Sequence, residues 1–150
     1  FSPVALMAIG FALMVIAYLI ITKSTVDSKI AMFIPSLVLT GLGMVAVAVV
    51  QAREYVAEAP PKYLSAVISS RTAVGQLGYS LGVAMTTSLV AIGISNNGGD
   101  KDNPADFVPA FNSAMLISAG LLLVGGVITV ILLAVGLRKR KAAGTPENLA

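Results

Sequence analysis

Four long runs of apolar residues, almost free of charge, constrain the fold of this chain more than any other feature of its sequence. The first run, over residues 3–21, contains no charged residue and no Asn or Gln. As a helix it would be about 29 Å long, which is close to the thickness of the hydrocarbon core of a bilayer. A helix of a soluble protein rarely stays this apolar on every face. The run therefore predicts a transmembrane helix.

Three further apolar runs follow, separated by short polar segments. The second run is again uncharged, and the double proline Pro60-Pro61 closes the polar segment after it. The third run is longer and carries more Ser, Thr and Gly, and the fourth opens at Pro109. Proline is tolerated in the first turn of a helix and stops a helix that precedes it. We predict helices over about residues 3–21, 30–50, 63–94 and 110–137, with a polar tail over 138–150.

The composition agrees with a chain that is solvated by lipid. Hydrophobic residues make up 57% of the 150 residues and charged residues 11%, whereas charged residues make up about a quarter of a soluble domain. A soluble fold of this size has too little interior to bury that much apolar surface. We therefore predict an all-α integral membrane protein with the lipid bilayer as a partner.

Several kinds of function lack the residues that they require. The chain has no Cys and no His, which removes disulfides, Cys-based metal sites and the usual general base near neutral pH. A Walker A sequence, a zinc-protease motif and a nucleophile elbow are also missing from the sequence. We expect no enzyme activity, no catalytic residue, no bound metal or cofactor, and no nucleic-acid partner.

The basic residues are distributed unequally between the two ends of the predicted helices. Four helices place the segment 51–62 and the tail on one side, which carries Arg53, Lys62 and the basic segment 138–141. The other side has three lysines set against four aspartates. Because cytoplasmic loops carry an excess of Lys and Arg, we predict a multi-pass protein of the cell membrane with a cytoplasmic C-terminus. The basic segment could also contact anionic lipid, but its role as a topology signal is the simpler interpretation.

Three glycines lie on one face of the third predicted helix. At 100° per residue Gly75, Gly78 and Gly82 align, with Arg71 and Thr86 on the same face. Glycines let two helix backbones approach closely in a membrane, and Gly78 and Gly82 form a GxxxG pattern. We predict that Gly75, Gly78 and Gly82 are helix-packing residues.

Polar side chains gather on a second face of the third helix and on one face of the second. Thr72 and Gln76 belong to the third helix, and Ser36 and Thr40 to the second. An unpaired polar group is costly among lipid tails, so these side chains should face protein or a water-filled path. We predict Ser36, Thr40, Thr72 and Gln76 as candidate cavity-lining residues. Hydrogen bonds between helices are the alternative interpretation.

Arg71 is the only charged residue within the four apolar runs. A charge inside a membrane span is a candidate for a functional site. The long stem of an Arg can also carry its guanidinium back to the membrane surface, and Arg71 lies about two turns after the start of its run. We predict a structural or gating role for Arg71 at the cytoplasmic rim.

The start of the chain differs from an ordinary N-terminus. It begins Phe1-Ser2-Pro3, without Met, and a helix-length apolar run follows at once. The basic region and the small-residue cleavage site of a signal peptide are missing. We interpret the first residue as a cut through a longer protein. A processed or incompletely recorded start is the alternative.

The segment 59–93 contains a series of motifs in a definite order. The double proline is followed by a Ser-rich turn over residues 65–70, then by Gln76-Leu77-Gly78, and then by Gly82 four residues further on. This series resembles the penultimate helix of the fourteen-helix drug:proton antiporters of the major facilitator superfamily, the QacA/EmrB-like group. The preceding segment 40–43, Thr-Gly-Leu-Gly, fits the glycine-bearing helix before it in that group.

The resemblance implies that residues 1–150 are the C-terminal part of a transporter transmembrane domain with a major facilitator fold. The first and fourth helices would be outer supports, the second would line the central cavity, and the third would pack against the other six-helix bundle. It implies proton-coupled efflux of drugs or small amphipathic molecules, with the remaining helices of the same transporter, the cargo and protons as partners. No Asp or Glu lies within the four runs, so this part would not supply the carboxylate that carries the proton.

Two alternatives remain open. The chain could be a complete small four-helix membrane protein, either an assembly subunit or a small homodimeric exporter. Such an exporter would need its own carboxylate within the membrane, and the four runs contain none. The other alternative is a major facilitator carrier of sugars or metabolites, which would keep the fold and change the cargo.

Overall fold

The computed structural model describes residues 2–96 and 99–142. Within these residues every regular element is helical, and two short 3-10 turns, Ile30–Met32 and Pro61–Tyr63, precede the second and third helices. The four α-helices are α1 (Pro3–Ile21), α2 (Phe33–Glu58), α3 (Leu64–Asn96) and α4 (Pro104–Ala142). All four are long and apolar enough to cross a membrane. The chain is therefore all-helical, as predicted, and has the character of a multi-pass protein embedded in a membrane.

Helix α2 is longer than predicted at its C-terminal end. Its apolar part ends at residue 50 as expected, but the helix continues through the polar segment to Glu58. Most residues of this polar segment favour helix as strongly as the apolar residues before them, so the change in polarity marks the edge of the membrane and not the end of the helix. The helix stops where Ala59 turns extended, immediately before the double proline.

The prediction for α4 was wrong at both ends. The helix begins at Pro104 and not at residue 110, because the Asn103 side-chain oxygen accepts the Ala105 backbone N–H at 3.1 Å and caps the first turn. Pro109, predicted to open the helix, lies inside it. The helix also continues past residue 137 to Ala142, so residues 138–142 of the predicted tail are helical. The rest of the tail, residues 143–150, lies outside the described residues.

Helices α1, α2 and α4 pack into one group, which we call the three-helix group. Its apolar centre consists of Met7 on α1 with Val47 and Val50 on α2. Side chains from α1 and α4 pack around this centre: Leu6, Phe11, Met14, Val130 and Leu133. The start of α1 therefore lies beside the end of α2, as expected of antiparallel neighbours.

Glycines mark the closest approaches inside the three-helix group. A Cβ atom at Gly43 would lie 2.5 Å from the Gly10 carbonyl oxygen and 2.7 Å from Cγ of Met14. On α4, a Cβ atom at Gly126 would lie 2.8 Å from the ring of Phe11. Contacts this short leave no room for a side chain, so α1 meets both of its neighbours at a glycine.

Polar contacts join the ends of the three-helix group. At the end that carries the basic residues, which we call the basic end, Arg140 on α4 donates to Glu54 on α2 at 3.1 Å. At the opposite end the Ser24 hydroxyl donates to the Asn112 side-chain oxygen, and the Asn112 amide donates to the Ser24 carbonyl, both at 2.7 Å. The group is therefore fastened by side-chain hydrogen bonds at both membrane surfaces.

Candidate functional site

Helix α3 packs against α4 through its C-terminal part, and its middle part lies apart from the three-helix group. Every residue from 72 to 85 is exposed, on all sides of the helix. Contacts with the rest of the chain are made near the two ends of α3. At the end opposite to the basic end, a Cβ atom at Gly93 would lie 3.0 Å from Cβ of Ala110 on α4. Near the basic end, the Arg71 guanidinium contacts the Ala48 carbonyl of α2.

The three predicted packing glycines lie on this exposed stretch. A Cβ atom at Gly75, Gly78 or Gly82 would meet no described atom within 4 Å. This contrasts with Gly10, Gly43 and Gly126, which all face a neighbouring helix. The glycine face is therefore present as the sequence pattern predicts, and no described part of the chain packs against it. Its role as a packing surface stays a prediction about a helix from elsewhere.

On the polar face of α3, some side chains form hydrogen bonds with the helix backbone and others form none with the described residues. The Thr72 hydroxyl donates to the Ile68 carbonyl at 3.0 Å, and Thr87 donates likewise to Val83 at 2.9 Å. These hydroxyls need no partner from another helix. Gln76 is exposed in the same stretch, and its amide forms no hydrogen bond with another described residue. Because an unpaired amide is costly in the hydrocarbon core, Gln76 is the residue of α3 that most requires a partner outside the chain.

The structure places Ser36 and Thr40 on the side of α2 that faces α1. They share this side with Gly43 and Val47, which contact α1. Ser36 is fully buried, and its hydroxyl has no hydrogen-bond partner among the described residues. Thr40 is half-buried and donates to the Ser36 carbonyl at 2.8 Å. In this arrangement Ser36 is closed off from solvent and lipid, so its predicted place on a cavity wall would require α1 and α2 to separate.

Arg71 lies between α3 and α2, near the basic end. Its guanidinium donates to the Ala48 carbonyl at 3.4 Å and lies 5.9 Å from the centre of the Tyr55 ring. Tyr55 is exposed at the polar end of α2. The neighbours of the Arg71 guanidinium thus belong to α2, and its role at a cytoplasmic rim stays a prediction.

Two contacts were missed by the sequence analysis. Asn112 is an amide near the start of the fourth apolar run, which is the kind of residue that needs a partner in a membrane. Its bond to Ser24 spans 88 residues of sequence, and only the order of the helices could have suggested it. Glu54 and Arg140 both lie just beyond apolar runs at the same end, so an antiparallel arrangement brings them within reach of each other.

The described residues contain no group of three or more acidic, His or Cys side chains that could hold a metal ion. A shallow, open depression at the opposite end is lined by Ala91, Ile94 and Ser95 of α3 with the segment 99–101. It is not enclosed, and its position beside the connection to α4 suits a loop contact better than a binding cavity. The exposed face of α3 and the Arg71 contact are therefore the features with functional potential.

Comparison of the chain with models of known protein families, with curated protein sequences and with solved structures finds no match.

Proposed function

We propose that this chain is the C-terminal four-helix part of a major facilitator transporter that exports drugs or small amphipathic molecules in exchange for protons. The observation that carries the proposal is the exposed glycine face of α3. Gly75, Gly78 and Gly82 are open, and the unpaired Gln76 amide lies in the same exposed stretch. A helix of this kind is suited to a close contact with helices of the other bundle, where a rocking motion takes place.

The three-helix group supports the same assignment of roles. In a transporter of this type, α1 and α4 would be outer supports facing lipid, and the pairing of α1 with both α2 and α4 suits such a support. Helix α2 would border the cavity, and α3 would form the contact between bundles. The basic end would be cytoplasmic, because Arg53, Lys62 and the basic segment lie there.

The proton carrier would come from the other helices of the transporter. The described spans contain Arg71 and no carboxylate in their apolar parts, and proton coupling requires a titratable group in the pathway. On this proposal the four helices contribute the moving contact and part of the cavity wall, and they should not transport by themselves.

The test begins with the complete gene, which should encode about ten further transmembrane helices before this segment. The full-length protein is then expressed in a bacterial strain that lacks its own efflux pumps, and dye efflux is measured for Gly78→Leu. We expect this variant to lose most of its transport. The matched control is Gly120→Leu on α4, since a Cβ atom at Gly120 also meets nothing within 4 Å. Because a Cβ atom at neither position meets a described atom of this chain, a greater loss in Gly78→Leu would indicate a partner that packs against α3.

Equal transport by the two variants, or a gene that begins with this segment, would contradict the proposal. The alternative of a complete four-helix protein would then be favoured, because the same glycine face could bind a second copy. In that case detergent-solubilised wild type should be a defined dimer and Gly78→Leu a monomer. A carrier of metabolites would show no dye efflux even as the wild type and would give no resistance to dyes or antiseptics.

A further inference from the structure

The contacts of α3 with the rest of the chain differ in kind at its two ends. At the end opposite to the basic end, the backbones of α3 and α4 lie close together. A Cβ atom at Gly93 would lie 3.0 Å from Cβ and 3.3 Å from Cα of Ala110. The backbone N–H of Gly99 also donates to the Ile94 carbonyl at 3.1 Å, and Ile94 is buried. Two helices this close have little freedom to separate there.

At the basic end α3 is joined to α2 by the short connection 59–63, and beyond that connection Arg71 makes the side-chain contact between the two helices. Arg71 spans the gap to α2 with a 3.4 Å hydrogen bond to the Ala48 carbonyl and a 5.9 Å contact with the Tyr55 ring. The hydrogen bond is near the upper limit of a useful length, and the ring contact is near the outer limit for attraction between a cation and an aromatic face. Both contacts are therefore weak enough to be broken and reformed.

The stronger partner for Arg71 on α2 is already engaged. Glu54 precedes Tyr55 in the sequence, and its carboxylate accepts a 3.1 Å charge-assisted hydrogen bond from Arg140. The exposed fractions of these side chains are 18% for Glu54 and 32% for Arg140, so this pair is partly screened from water. The same part of α2 thus contacts α4 through an ion pair and α3 through an uncharged ring and a carbonyl.

We propose that Arg71 is a releasable latch, which holds the basic end of α3 against Ala48 and Tyr55 of α2 and, when released, lets α3 swing about the Gly93–Ala110 contact. The exposed stretch 72–85 makes such a swing sterically free with respect to the three-helix group. The latch requires a long, positively charged donor at position 71 and an aromatic face at position 55. It does not depend on what the protein transports, or on whether it transports at all.

The chain has no Cys, so pairs of cysteines for spin labelling can be introduced without first replacing a native cysteine. Val49 on α2 and Val74 on α3 are exposed, and labels at these positions report the separation at the basic end. Labels at Ile92 on α3 and Leu116 on α4, both exposed, report the separation at the opposite end. Distances are measured by pulsed electron paramagnetic resonance on the full chain in lipid nanodiscs.

We expect Arg71→Gln to lengthen the Val49–Val74 distance by about 5 Å, roughly the rise of one helical turn, and to leave the Ile92–Leu116 distance unchanged. Arg71→Lys should shift it less, because Lys keeps the charge and loses the planar donor. Tyr55→Phe should behave as the wild type, since the ring is retained. The matched control is Arg140→Gln, which breaks the neighbouring ion pair and should not alter the Val49–Val74 distance.

An unchanged Val49–Val74 distance in Arg71→Gln would overturn the proposal. If that variant broadened both distance distributions, the packing of the chain would have been lost, and Tyr55→Leu would then decide. Tyr55→Leu leaves the cation in place and removes only the aromatic face. A longer distance at the basic end alone would support the latch, and a wild-type distance would refute it.

Discussion

The carbonyl oxygen of Gly10 on α1 lies 2.5 Å from the position that a Cβ atom at Gly43 on α2 would occupy. Helices α1 and α2 therefore cross backbone against backbone, with Val47 beside the crossing. This contact holds the three-helix group together at its centre, and it provides the most direct tests of the packing.

Gly43→Ala should destabilise the protein, because the new methyl group would meet a carbonyl oxygen of the backbone and Met14. Overpacking of this kind costs about 1–3 kcal/mol. The matched control is Gly41→Ala, two positions away, where a Cβ atom meets nothing within 4 Å. That variant should be neutral or more stable, since Ala favours helix over Gly by about 1 kcal/mol. Unfolding by sodium dodecyl sulfate, followed by circular dichroism, gives the comparison. Equal stability of the two variants would show that α1 and α2 do not cross at Gly43.

Asn112→Ala should lower stability by about 1–3 kcal/mol, because it removes both hydrogen bonds to Ser24 and leaves a part-buried hydroxyl and carbonyl without partners. Ser113→Ala is the control, since the Ser113 hydroxyl is exposed and bonds only to the Pro109 carbonyl within its own helix. The same unfolding assay measures both. A loss in Ser113→Ala as large as that in Asn112→Ala would argue against a specific clamp at this end.

Ser36→Ala should be neutral or stabilising, because it removes a buried hydroxyl that has no hydrogen-bond partner among the described residues. Ser36→Val should instead be destabilising by about 1–3 kcal/mol, because the site is fully buried and has no room for larger groups. Thermal unfolding in detergent separates the two outcomes. If Ser36→Ala were strongly destabilising, the hydroxyl would have to serve a partner such as a bound water molecule.

Glu54→Gln and Arg140→Gln should each weaken the attachment of α4 to α2, and the double variant should cost less than the sum of the two. For a partly exposed ion pair the coupling free energy is about 0.5–1 kcal/mol. A double-mutant cycle in the unfolding assay measures this coupling, which should decrease as salt is added. Strictly additive effects would mean that the two side chains do not interact in the membrane.

The sequence was sufficient to predict the number, order and type of the helices, because a transmembrane helix is specified by its own apolar residues. The bounds of α1, Pro3–Ile21, were predicted correctly. The bounds of α2 and α4 were not, because a helix can continue as a polar segment beyond the edge of the membrane. At α4 the capping residue Asn103 lies in a segment whose composition resembles a loop.

The packing could be predicted only in part. The glycine pattern of α3 was visible as a stripe. By contrast, Gly10 is the single glycine of α1 and Gly126 is one of four glycines in α4, and nothing local distinguishes either from glycines that face lipid. Likewise, the charge of Arg71 identified it as a candidate site. Its neighbours Ala48 and Tyr55 could not be predicted, because they depend on the angle between α2 and α3 after the Pro60-Pro61 connection. Partners that are distant in sequence require the tertiary structure.

The helices differ greatly in length although they share one bilayer. The 19 residues of α1 span about 29 Å, which matches the hydrocarbon core, whereas the 39 residues of α4 span about 58 Å. Helix α4 must therefore tilt, thicken the surrounding lipid or project beyond the headgroups, and each response depends on hydrophobic mismatch. The protein should consequently be sensitive to the acyl-chain length of its host membrane, because α1 matches a bilayer of average thickness and the longer apolar run of α4 suits a thicker one.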